Sequence, residues 1–516
     1  MANVKNLTVR GMLHRSARYF PDNEAAVDES YRYTYAELLD KVRRAAAIYH
    51  GMGVRKGDRV AMMLLPSANH VVALFAAYEL GAIPVALHVR ESTSLLVKTL
   101  ERLSPRILVY DPSLSDQVDE LRELCPGITG YVGARSGVTT DEEIRGNDVV
   151  IPDQLDQYEM DFEPMAIDAQ DIALICLSSG TTGIPKGVIH RNGPTVESAR
   201  GGAYIWGSNP HSCQLVPIST SFTGWSNAVF PLMNVGAKSV FMAHFHPQRY
   251  MQTLQDEKCT MCVLIPTIWR MLFQMDISGY DLSNVELAGF AGEVIDGPTL
   301  EKIRTQITPN IINIYGTTET LLCGGTIMFS KDMTPERIES VGKPLLNGEI
   351  RIIEPGGTID DELPANEEGE IVVSGPSVSN EMWADPALTR KVFEDGWWHS
   401  GDLGRLDEDN YLYINGRIDD MIISGGINVM PAPIEQTILD HPQVTEVAVV
   451  GIKDEQWGQR ITAFVALKDS SLTAEELHDF VCASPLSHYQ RPRDYQFVEE
   501  LPKGPTGKLS RKALRS

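Results

Sequence analysis

The sequence has few cysteines, a deficit of positive charge and no long apolar run. Its 516 residues hold only 7 Cys, a low density that favours neither a disulfide framework nor a zinc-ribbon protein. Lys and Arg number 45 against 69 Asp and Glu, which gives a net charge of −24. Such a surface repels phosphate backbones and anionic lipids, so neither nucleic acid nor a membrane surface is the expected partner. No stretch approaches the roughly 20 apolar residues that span a bilayer.

Length and composition then indicate the class of protein. Hydrophobic residues make up 43% and charged residues 22%, as in globular proteins. A single core stops growing at roughly 250–300 residues, so we expect at least two folding units. The first twenty residues contain no apolar segment of the kind found in secretory signals. We therefore expect a soluble cytoplasmic protein.

The first half of the chain alternates helix and strand patterns. Helices are predicted at Tyr35–Gly51 and Ala68–Leu80, and strands at Asp58–Leu65 and Pro105–Tyr110. Strands and helices in alternation predict parallel α/β layers.

The sequence pattern changes after Val341. From there to Gly416, short β-rich segments alternate with clusters of Gly, Pro and acidic residues. A new pattern of helices and strands begins near Asp419, and a Thr473-Ala-Glu-Glu476 capping box predicts one helix start. The predicted fold class is α/β. A large N-terminal domain, residues 1–418, combines layered βαβ sheets with a small β-barrel-like part. A smaller α+β C-terminal domain spans residues 419–516.

The strongest chemical signal is the segment Leu177–Gly187, LSSGTTGIPKG, directly after the apolar strand pattern Ile172–Cys176. Its small residues free the backbone to curl around an anion, and its hydroxyls and amides donate hydrogen bonds. Lys186 adds a positive charge for phosphate. A flexible surface loop is the alternative, and the spacing is not that of a P-loop ATPase. The predicted phosphate ligands are Ser178, Ser179, Gly180, Thr181, Thr182, Gly183 and Lys186.

This segment resembles the phosphate loop of the adenylate-forming superfamily, which comprises acyl-CoA synthetases, firefly-type luciferases and peptide-synthetase adenylation domains. The resemblance runs from about residue 30 to the end of the chain. Further matching segments follow in the same order: Tyr315-Gly-Thr-Thr-Glu319, Ser400-Gly-Asp402, Gly416-Arg417-Ile-Asp419-Asp420, Ser424-Gly425-Gly426 and Pro502-Lys-Gly-Pro-Thr-Gly-Lys508. The carboxyl-terminal part of the sequence is most similar to that of CoA ligases for small or aromatic acids.

The resemblance implies roles for the Tyr315–Glu319 segment. Tyr315 would stack on adenine, Thr318 would contact the α-phosphate, and Glu319 would hold Mg²⁺, which prefers oxygen ligands. Catalysis is assigned to Lys508, Glu319, Thr318 and Lys186. The resemblance also implies nucleotide contacts from Gly292, Glu293, Asn313, Gly316, Thr317 and Ile414.

The remaining motifs are assigned to the ribose, to a hinge and to CoA. By resemblance Asp402 accepts the ribose hydroxyls, Arg417 contacts ribose and phosphate, and Asp419 is the interdomain hinge. Lys508 enters the active site during adenylation. The Ser424, Gly425 and Gly426 face would line a pantetheine channel, and Trp457 would meet the CoA nucleotide.

The acid pocket is where the sequence departs from the family pattern. Related ligases carry Pro-x-x-His-x-x-Gly, whereas here Pro217 begins a run one residue longer that lacks histidine, which leaves the register open. We predict Phe222 and Trp225 as aromatic walls, with packing in the ordinary core as the alternative. The other predicted pocket residues are Ala291, Gly316 and Leu321.

The predicted function is an ATP-dependent carboxylate–CoA ligase that uses ATP, Mg²⁺ and coenzyme A. It would form an acyl-adenylate with release of pyrophosphate, and then transfer the acyl group to CoA. The alternatives are an enzyme that loads a carrier-protein phosphopantetheine, a luciferase-like oxidase, and a nucleotide-binding scaffold without catalysis. The sequence leaves the acid open among aryl, branched and short-to-medium aliphatic types. A homodimer is expected by resemblance.

Overall fold

The computed structural model describes residues 7–143, 148–178, 184–468, 472–503 and 509–515. The chain forms two compact units, one from residues 1–350 with 373–398 and the other from residues 351–372 with 399–516. Each unit has a hydrophobic core of its own. In the part of the chain that is described, no helix is both long and apolar enough to cross a lipid bilayer.

The helices of the first unit are α1 Val9–Tyr19, α2 Tyr35–Gly51, α3 Ala68–Glu79, α4 Thr93–Leu103, α5 Ser115–Leu124, α6 Asn192–Ile205, α7 Thr223–Val235, α8 Pro247–Asp256, α9 Pro266–Leu272, α10 Gly297–Gln306 and α11 Pro386–Val392. Its strands are β1 Glu24–Val27, β2 Arg32–Thr34, β3 Arg59–Met63, β4 Ile83–Ala86, β5 Ile107–Tyr110, β6 Gly130–Ala134, β7 Val149–Ile151, β8 Ile172–Ser178, β9 Lys186–Arg191, β10 Cys213–Val216, β11 Lys238–Phe241, β12 Met261–Leu264, β13 Leu287–Ala291, β14 Ile311–Tyr315, β15 Thr326–Phe329 and β16 Ser340–Pro344. The short strand β19 Phe393–Glu394 belongs to this unit as well.

Two large sheets organise the first unit. One is fully parallel, in the order β4-β3-β5-β6-β7, and its strands alternate with α3, α4 and α5 along the chain. The other runs β16-β15-β14-β13-β12-β10-β11-β1-β2, with a parallel centre from β14 to β1. Its outer pairs, β14 with β15 and β1 with β2, are antiparallel. The carboxyl ends of β13 and β14 therefore lie at one edge, the place where open α/β sheets bind ligands.

Helix α3 differs from the amphipathic helices around it because all twelve of its residues are buried. Apolar residues lie on every side of the helix from Ala68 to Glu79, which is typical of a helix enclosed between layers. Ser67 caps its first turn by accepting a hydrogen bond from the His70 amide at 3.0 Å.

The second unit is richer in antiparallel strands. Its elements are β17 Glu349–Ile353, β18 Gly369–Ser374, β20 Trp397–Leu406, β21 Leu412–Arg417, β22 Ile422–Ser424, β23 Ile427–Val429, α12 Pro431–Leu439, β24 Val444–Asp454, β25 Gly458–Leu467, α13 Ala474–Cys482, β26 Asp494–Val498 and α14 Arg511–Leu514. Strands β17, β18, β20 and β21 are neighbours in that order. Strands β23-β22-β25-β24 form a second sheet, to which β26 adds in parallel.

The α/β prediction with a smaller α+β part is confirmed. Helix α2 matches the predicted Tyr35–Gly51 from end to end, and α13 carries the predicted capping box at Thr473 and Glu476. The predicted β-rich segment corresponds to β17, β18, β20 and β21. The domain boundary between residues 418 and 419 stays a prediction.

Candidate active site

The hairpin of β8 and β9 presents the Ser/Thr/Gly segment. The two strands are antiparallel, and Ser178 at the end of β8 pairs with Lys186 at the start of β9. The structure therefore brings these two predicted phosphate ligands together. Ser179, Gly180, Thr181, Thr182 and Gly183, which join the strands, lie outside the described residues.

The packing around Gly187 explains why the segment ends in glycine after Lys186. A Cβ on Gly187 would lie 2.9 Å from Ile175 Cγ2 and 2.9 Å from the Cβ of Trp383. Only glycine lets β9 approach β8 and Trp383 this closely, and this packing fixes the adjacent Lys186.

The Tyr315–Glu319 turn follows β14 at the carboxyl edge of the mixed sheet, and neighbouring side chains hold its backbone. The Nε2–H of His190 donates to the Thr318 carbonyl at 2.8 Å, and the Ser379 amide donates to the Glu319 carbonyl at 2.7 Å. Burial lowers the pKa of His190 to about 4, so its ring is neutral and keeps one N–H for this bond. The hydroxyl of Ser377 donates to the Thr320 carbonyl at 2.8 Å.

The chemistry of this turn fits a metal–phosphate ligand. The Thr317 hydroxyl is buried and has no hydrogen-bond partner, although buried polar groups in proteins are normally paired. The Glu319 carboxylate lies two residues away, and carboxylate and hydroxyl oxygens suit Mg²⁺ and its phosphate-bound waters. Glu319 also lies near the buried thiol of Cys176. Burial first, and then the charge of Glu319, raise the pKa of Cys176 to about 12.

The Gly289–Glu293 segment lies beside this turn. Strand β13 pairs with β14 so that Ala291 is opposite Ile314, which places Gly292 and Tyr315 at the same sheet edge. Gly292 has a φ of 82°, a conformation that favours glycine.

Two predicted nucleotide contacts on these strands are already engaged within the protein. The Glu293 carboxylate accepts hydrogen bonds from the Thr267 amide at 3.1 Å and the Thr267 hydroxyl at 2.8 Å. Its other neighbour is Arg270, at 3.5 Å. Asn313 is buried, and its amide nitrogen donates to the Ser340 carbonyl at 3.4 Å.

Three of the five predicted acid-pocket residues line cavities, and they line two different ones. Phe222 and Trp225 line one cavity, whereas Leu321 lines another. Neither Ala291 nor Gly316 is among the described residues that line these two cavities.

Trp225 is also part of the core, and the departure from the family pattern has a local structure. The Trp225 ring is 2% exposed and stacks on Phe241 with centroids 5.9 Å apart. Thr220 is buried and its hydroxyl donates to the Leu64 carbonyl at 2.7 Å. Phe222 is the N-cap of α7.

In the second unit, β20 and β21 bring Asp402 and Arg417 together. The two residues pair across the strands, and the Arg417 Nε lies 3.4 Å from Asp402 Oδ1. Arg417 also donates to the Ser400 carbonyl at 3.2 Å, while the Ser400 hydroxyl accepts from the Asp402 amide at 2.9 Å. Ile414 lies in β21 opposite Gly404. The Asp402 carboxylate is thus buried and oriented by a guanidinium that stays half exposed.

The predicted hinge, Asp419, lies in a short 3₁₀ turn, Ile418–Asp420, directly after β21. Its carbonyl accepts a hydrogen bond from the Arg515 guanidinium at 3.3 Å. Its neighbour Asp420 faces Arg511 at 3.5 Å and Arg515 at 3.3 Å.

The predicted CoA residues are also adjacent. The Gly425 amide donates to the Trp457 carbonyl at 2.8 Å, and a Cβ on Gly425 would lie 3.1 Å from the indole ring. Gly425 and Gly426 have φ values of 61° and 80°, which explains the paired glycines after the buried Ser424. Lys508 lies outside the described residues.

Sequence reasoning missed Arg493, His190 and Ser379. The Arg493 guanidinium lies 3.8 Å from the centroid of the Trp457 ring. His190 and Ser379 brace the Tyr315–Glu319 turn from segments more than fifty residues away. Because these residues are far from the turn in the sequence, no local sequence motif reveals that they contact it.

One pair of cysteines has the spacing of a metal-binding or redox motif. Cys259 and Cys262 have the C-x-x-C spacing of zinc and redox motifs, yet both are buried in the apolar core. Cys259 lies beside Cys213 instead, with 3.5 Å between the sulfur atoms. Within the described ranges, no group of three or more His, Cys, Asp or Glu is placed to hold a metal ion.

Curated proteins of known activity are similar to this chain over nearly its whole length. A long-chain-fatty-acid–CoA ligase of Mycobacterium tuberculosis is 28% identical over 517 residues, which cover 98% of this chain and 97% of that protein. A mitochondrial medium-chain acyl-CoA ligase of Danio rerio is 30% identical, over 99% of this chain and 88% of that protein.

A solved structure extends the comparison to the fold. The O-succinylbenzoate coenzyme A synthetase of Bacillus subtilis, in complex with ATP and a magnesium ion, is 26% identical and has a TM-score of 0.85. The match covers 98% of this chain and 99% of that one. An AMP-binding enzyme domain matches residues 13–383, and an AMP-binding enzyme C-terminal domain matches residues 433–508. This chain therefore belongs to the AMP-binding enzyme family.

Proposed function

We propose that the protein is an AMP-forming carboxylate–CoA ligase. The observation that carries this proposal is that CoA ligases align with the chain over nearly its whole length. The braced Tyr315–Glu319 turn, with its unpartnered Thr317 hydroxyl, supports the same function. The substrates are ATP, coenzyme A and a small carboxylic acid.

Binding of ATP is assigned mainly to the first unit. Ser178 and Lys186, with the segment between them, bind the phosphates, and Tyr315 stacks on adenine. Thr318 contacts the α-phosphate, and Glu319 with the Thr317 hydroxyl binds magnesium and its waters. When bound, magnesium neutralises phosphate charge that builds up as pyrophosphate leaves.

The first half-reaction joins the acid to AMP. A carboxylate oxygen of the substrate attacks the α-phosphorus, a new P–O bond forms, and the bond to the pyrophosphate oxygen breaks. The acid is already ionised at neutral pH, so the protein does not need to supply a general base. Positioning and cationic side chains therefore carry the step, and Lys186 and Lys508 are the side chains assigned to it.

Ribose and CoA recognition is assigned to the second unit. Asp402 accepts from the ribose hydroxyls, Arg417 holds Asp402 and contacts phosphate, and Ile414 borders the nucleotide. In the second half-reaction the CoA sulfur attacks the acyl carbonyl, AMP leaves, and the thiol proton passes to solvent. The Ser424–Gly426 turn and Trp457, with Arg493 over its ring, are assigned to CoA. Asp419 is the hinge about which residues 419–516 rearrange between the two steps.

The test separates the two half-reactions. Purified protein is incubated with MgATP, CoA and about twenty carboxylic acids, and both pyrophosphate and acyl-CoA are measured. We expect both products with at least one acid. Pyrophosphate release without acyl-CoA would contradict the ligase and favour transfer to a carrier protein.

The Lys508→Ala variant tests the division of labour. It should abolish adenylation but retain thioester formation from supplied acyl-adenylate, because Lys508 serves only the first step. Lys512→Ala removes an exposed lysine nearby and is the matched control. Equal loss of both half-reactions in Lys508→Ala would contradict the assignment.

The proposal includes a cytoplasmic location and a homodimer. The homodimer is supported by the family resemblance. Sedimentation equilibrium of the purified protein measures the oligomeric state directly.

A further inference from the structure

The cavity that Phe222 and Trp225 line also has polar residues on one side, supplied by a helix without any nucleotide motif. His70, Leu74 and Tyr78 are spaced four residues apart on α3, so they share one face of that helix, and all three line the cavity. The rest of the lining is mostly apolar or aromatic.

Three polar atoms in this lining have no partner. They are Nδ1 of His70, the hydroxyl of Tyr78 and Nε1 of Trp225. The three residues are 1%, 2% and 2% exposed, so bulk solvent does not satisfy these atoms. Buried polar groups in proteins are normally paired, and three unpaired ones belong here to residues that line the same cavity. Their presence in the walls of one cavity indicates a ligand that forms hydrogen bonds.

The cavity adjoins the residues assigned to adenylation. Cys176 lines it from β8, two residues before Ser178, and lies near enough to Glu319 for that charge to raise its pKa. Ser226 and Phe230 line both this cavity and the one that contains Leu321. An acid whose carboxylate lies near the Tyr315–Glu319 turn can therefore extend its far end toward His70 and Tyr78.

The charge of the lining restricts the acid. None of the described residues that line this cavity is Lys, Arg, Asp or Glu. Burial lowers the pKa of His70 to about 3, so the imidazole is neutral at physiological pH. A second carboxylate, such as that of 2-succinylbenzoate, would be buried here without a counter-ion. A purely apolar acid would leave the three polar atoms unpaired.

We propose, on the basis of the ligase function above, that the substrate is a monocarboxylic acid with an apolar body and an uncharged hydrogen-bonding group at its far end. A hydroxyl is the simplest such group, and it is recognised by His70, Tyr78 and Trp225. These residues determine specificity and take no part in the chemistry at the α-phosphorus.

The test compares matched acids. Hexanoate, octanoate and decanoate are each assayed beside the ω-hydroxy acid, and hydrocinnamate beside its para-hydroxy form, with kcat/KM taken from pyrophosphate release. For the chain length that fits, the hydroxy acid should be preferred by at least about 10-fold, because a site built to pair a hydroxyl discriminates against analogues without one. Octanedioate, with its second carboxylate, should be the poorer substrate than ω-hydroxyoctanoate.

Variants then identify the residues that favour the hydroxy acid over the parent acid. Tyr78→Phe and His70→Phe should each lower the ratio of kcat/KM between hydroxy acid and parent acid. This ratio is measured within one variant, so a general loss of folding cancels. Tyr250→Phe is the matched control, because Tyr250 also has a buried hydroxyl without a partner but lies in a separate core cluster.

The outcomes separate this proposal from the ligase function. If no acid supports pyrophosphate release, the ligase function fails. If acids are adenylated but no hydroxy acid is preferred, or Tyr78→Phe keeps the preference, the specificity proposal is overturned and the ligase stands. A preference for octanedioate would overturn it as well.

Discussion

At the scale of single residues, the Asp402–Arg417 pair is the most direct test of the nucleotide site. The Asp402→Asn change keeps the shape of the side chain but removes the negative charge that faces Arg417 and that, in the proposed site, accepts hydrogen bonds from ribose. A hydrogen bond to a charged group contributes about 1.5–3 kcal/mol. We therefore expect kcat/KM for ATP to fall by about 10- to 100-fold. Steady-state kinetics with varied ATP measure this.

The matched control for that change is Glu408→Gln, an exposed carboxylate in the turn between the same two strands. It should leave kcat/KM for ATP unchanged. An Asp402→Asn enzyme with normal ATP kinetics would remove Asp402 from the ribose site.

Residue motifs show what sequence can reveal about such a site. Ser178, Lys186 and Tyr315 were predicted because their chemistry depends on neighbours in the chain, so the pattern is local. His190 was missed because its role depends on one hydrogen bond to Thr318, 128 residues away. A buried histidine in an apolar strand looks like any other core residue until its partner is known.

At the scale of elements, the return of the chain from the Tyr315–Glu319 turn into β15 depends on Gly325. A Cβ on Gly325 would lie 1.9 Å from the Tyr315 carbonyl oxygen, so the backbone of the turn would have to move. We expect Gly325→Ala to destabilise the fold by roughly 1–3 kcal/mol and to raise the KM for ATP. Chemical denaturation and ATP-dependent kinetics measure the two effects.

Gly279→Ala provides the comparison, because no atom lies within 4 Å of the added Cβ. It should change neither quantity. If Gly325→Ala binds ATP normally, the geometry of this turn does not determine nucleotide affinity.

Elements also show why the cavity escaped prediction. The sequence of α3 predicts a helix correctly, since Ala68–Glu79 agrees with the predicted Ala68–Leu80 to one residue. It gives no indication of which side faces a cavity, because every residue of α3 is buried and the apolar pattern has no preferred face. The position of His70 opposite Trp225, with ring centroids 4.5 Å apart, is determined by packing between elements distant in the chain.

At the scale of the whole molecule, two buried imidazoles make stability depend on pH. Burial lowers the pKa of His70 to about 3 and that of His190 to about 4. Below about pH 6.5 the unfolded chain binds protons at these sites while the folded protein does not, so stability falls as the pH is lowered. For His190 the loss reaches about 3 kcal/mol at its folded pKa.

The measurement is the melting temperature between about pH 7 and about pH 4.5. We expect His190→Gln to lower the dependence of the melting temperature on pH, because the amide donates to Thr318 but does not titrate. His211→Gln replaces an exposed histidine and should keep the wild-type dependence. Identical pH profiles for all three proteins would show that His190 is not the source.

The net charge of the whole molecule, −24, bears on how it binds the proposed substrates. ATP and CoA are polyanions, and an acidic surface repels them at long range. On the assignments proposed above, binding therefore depends on a few local cations, such as Lys186, Arg417 and Arg493. The net charge of the chain gives no information about such a site.

The enclosed helix α3 has a practical consequence for altering this enzyme. Its cavity-lining positions 70, 74 and 78 belong to no nucleotide motif, so a combinatorial library at these three codons would sample acyl preference while leaving the adenylation machinery intact. Helix α3 packs on all sides, so side-chain volume is the constraint that such a library has to respect. On the specificity proposal above, these three positions can diverge in evolution without any change in the nucleotide motifs.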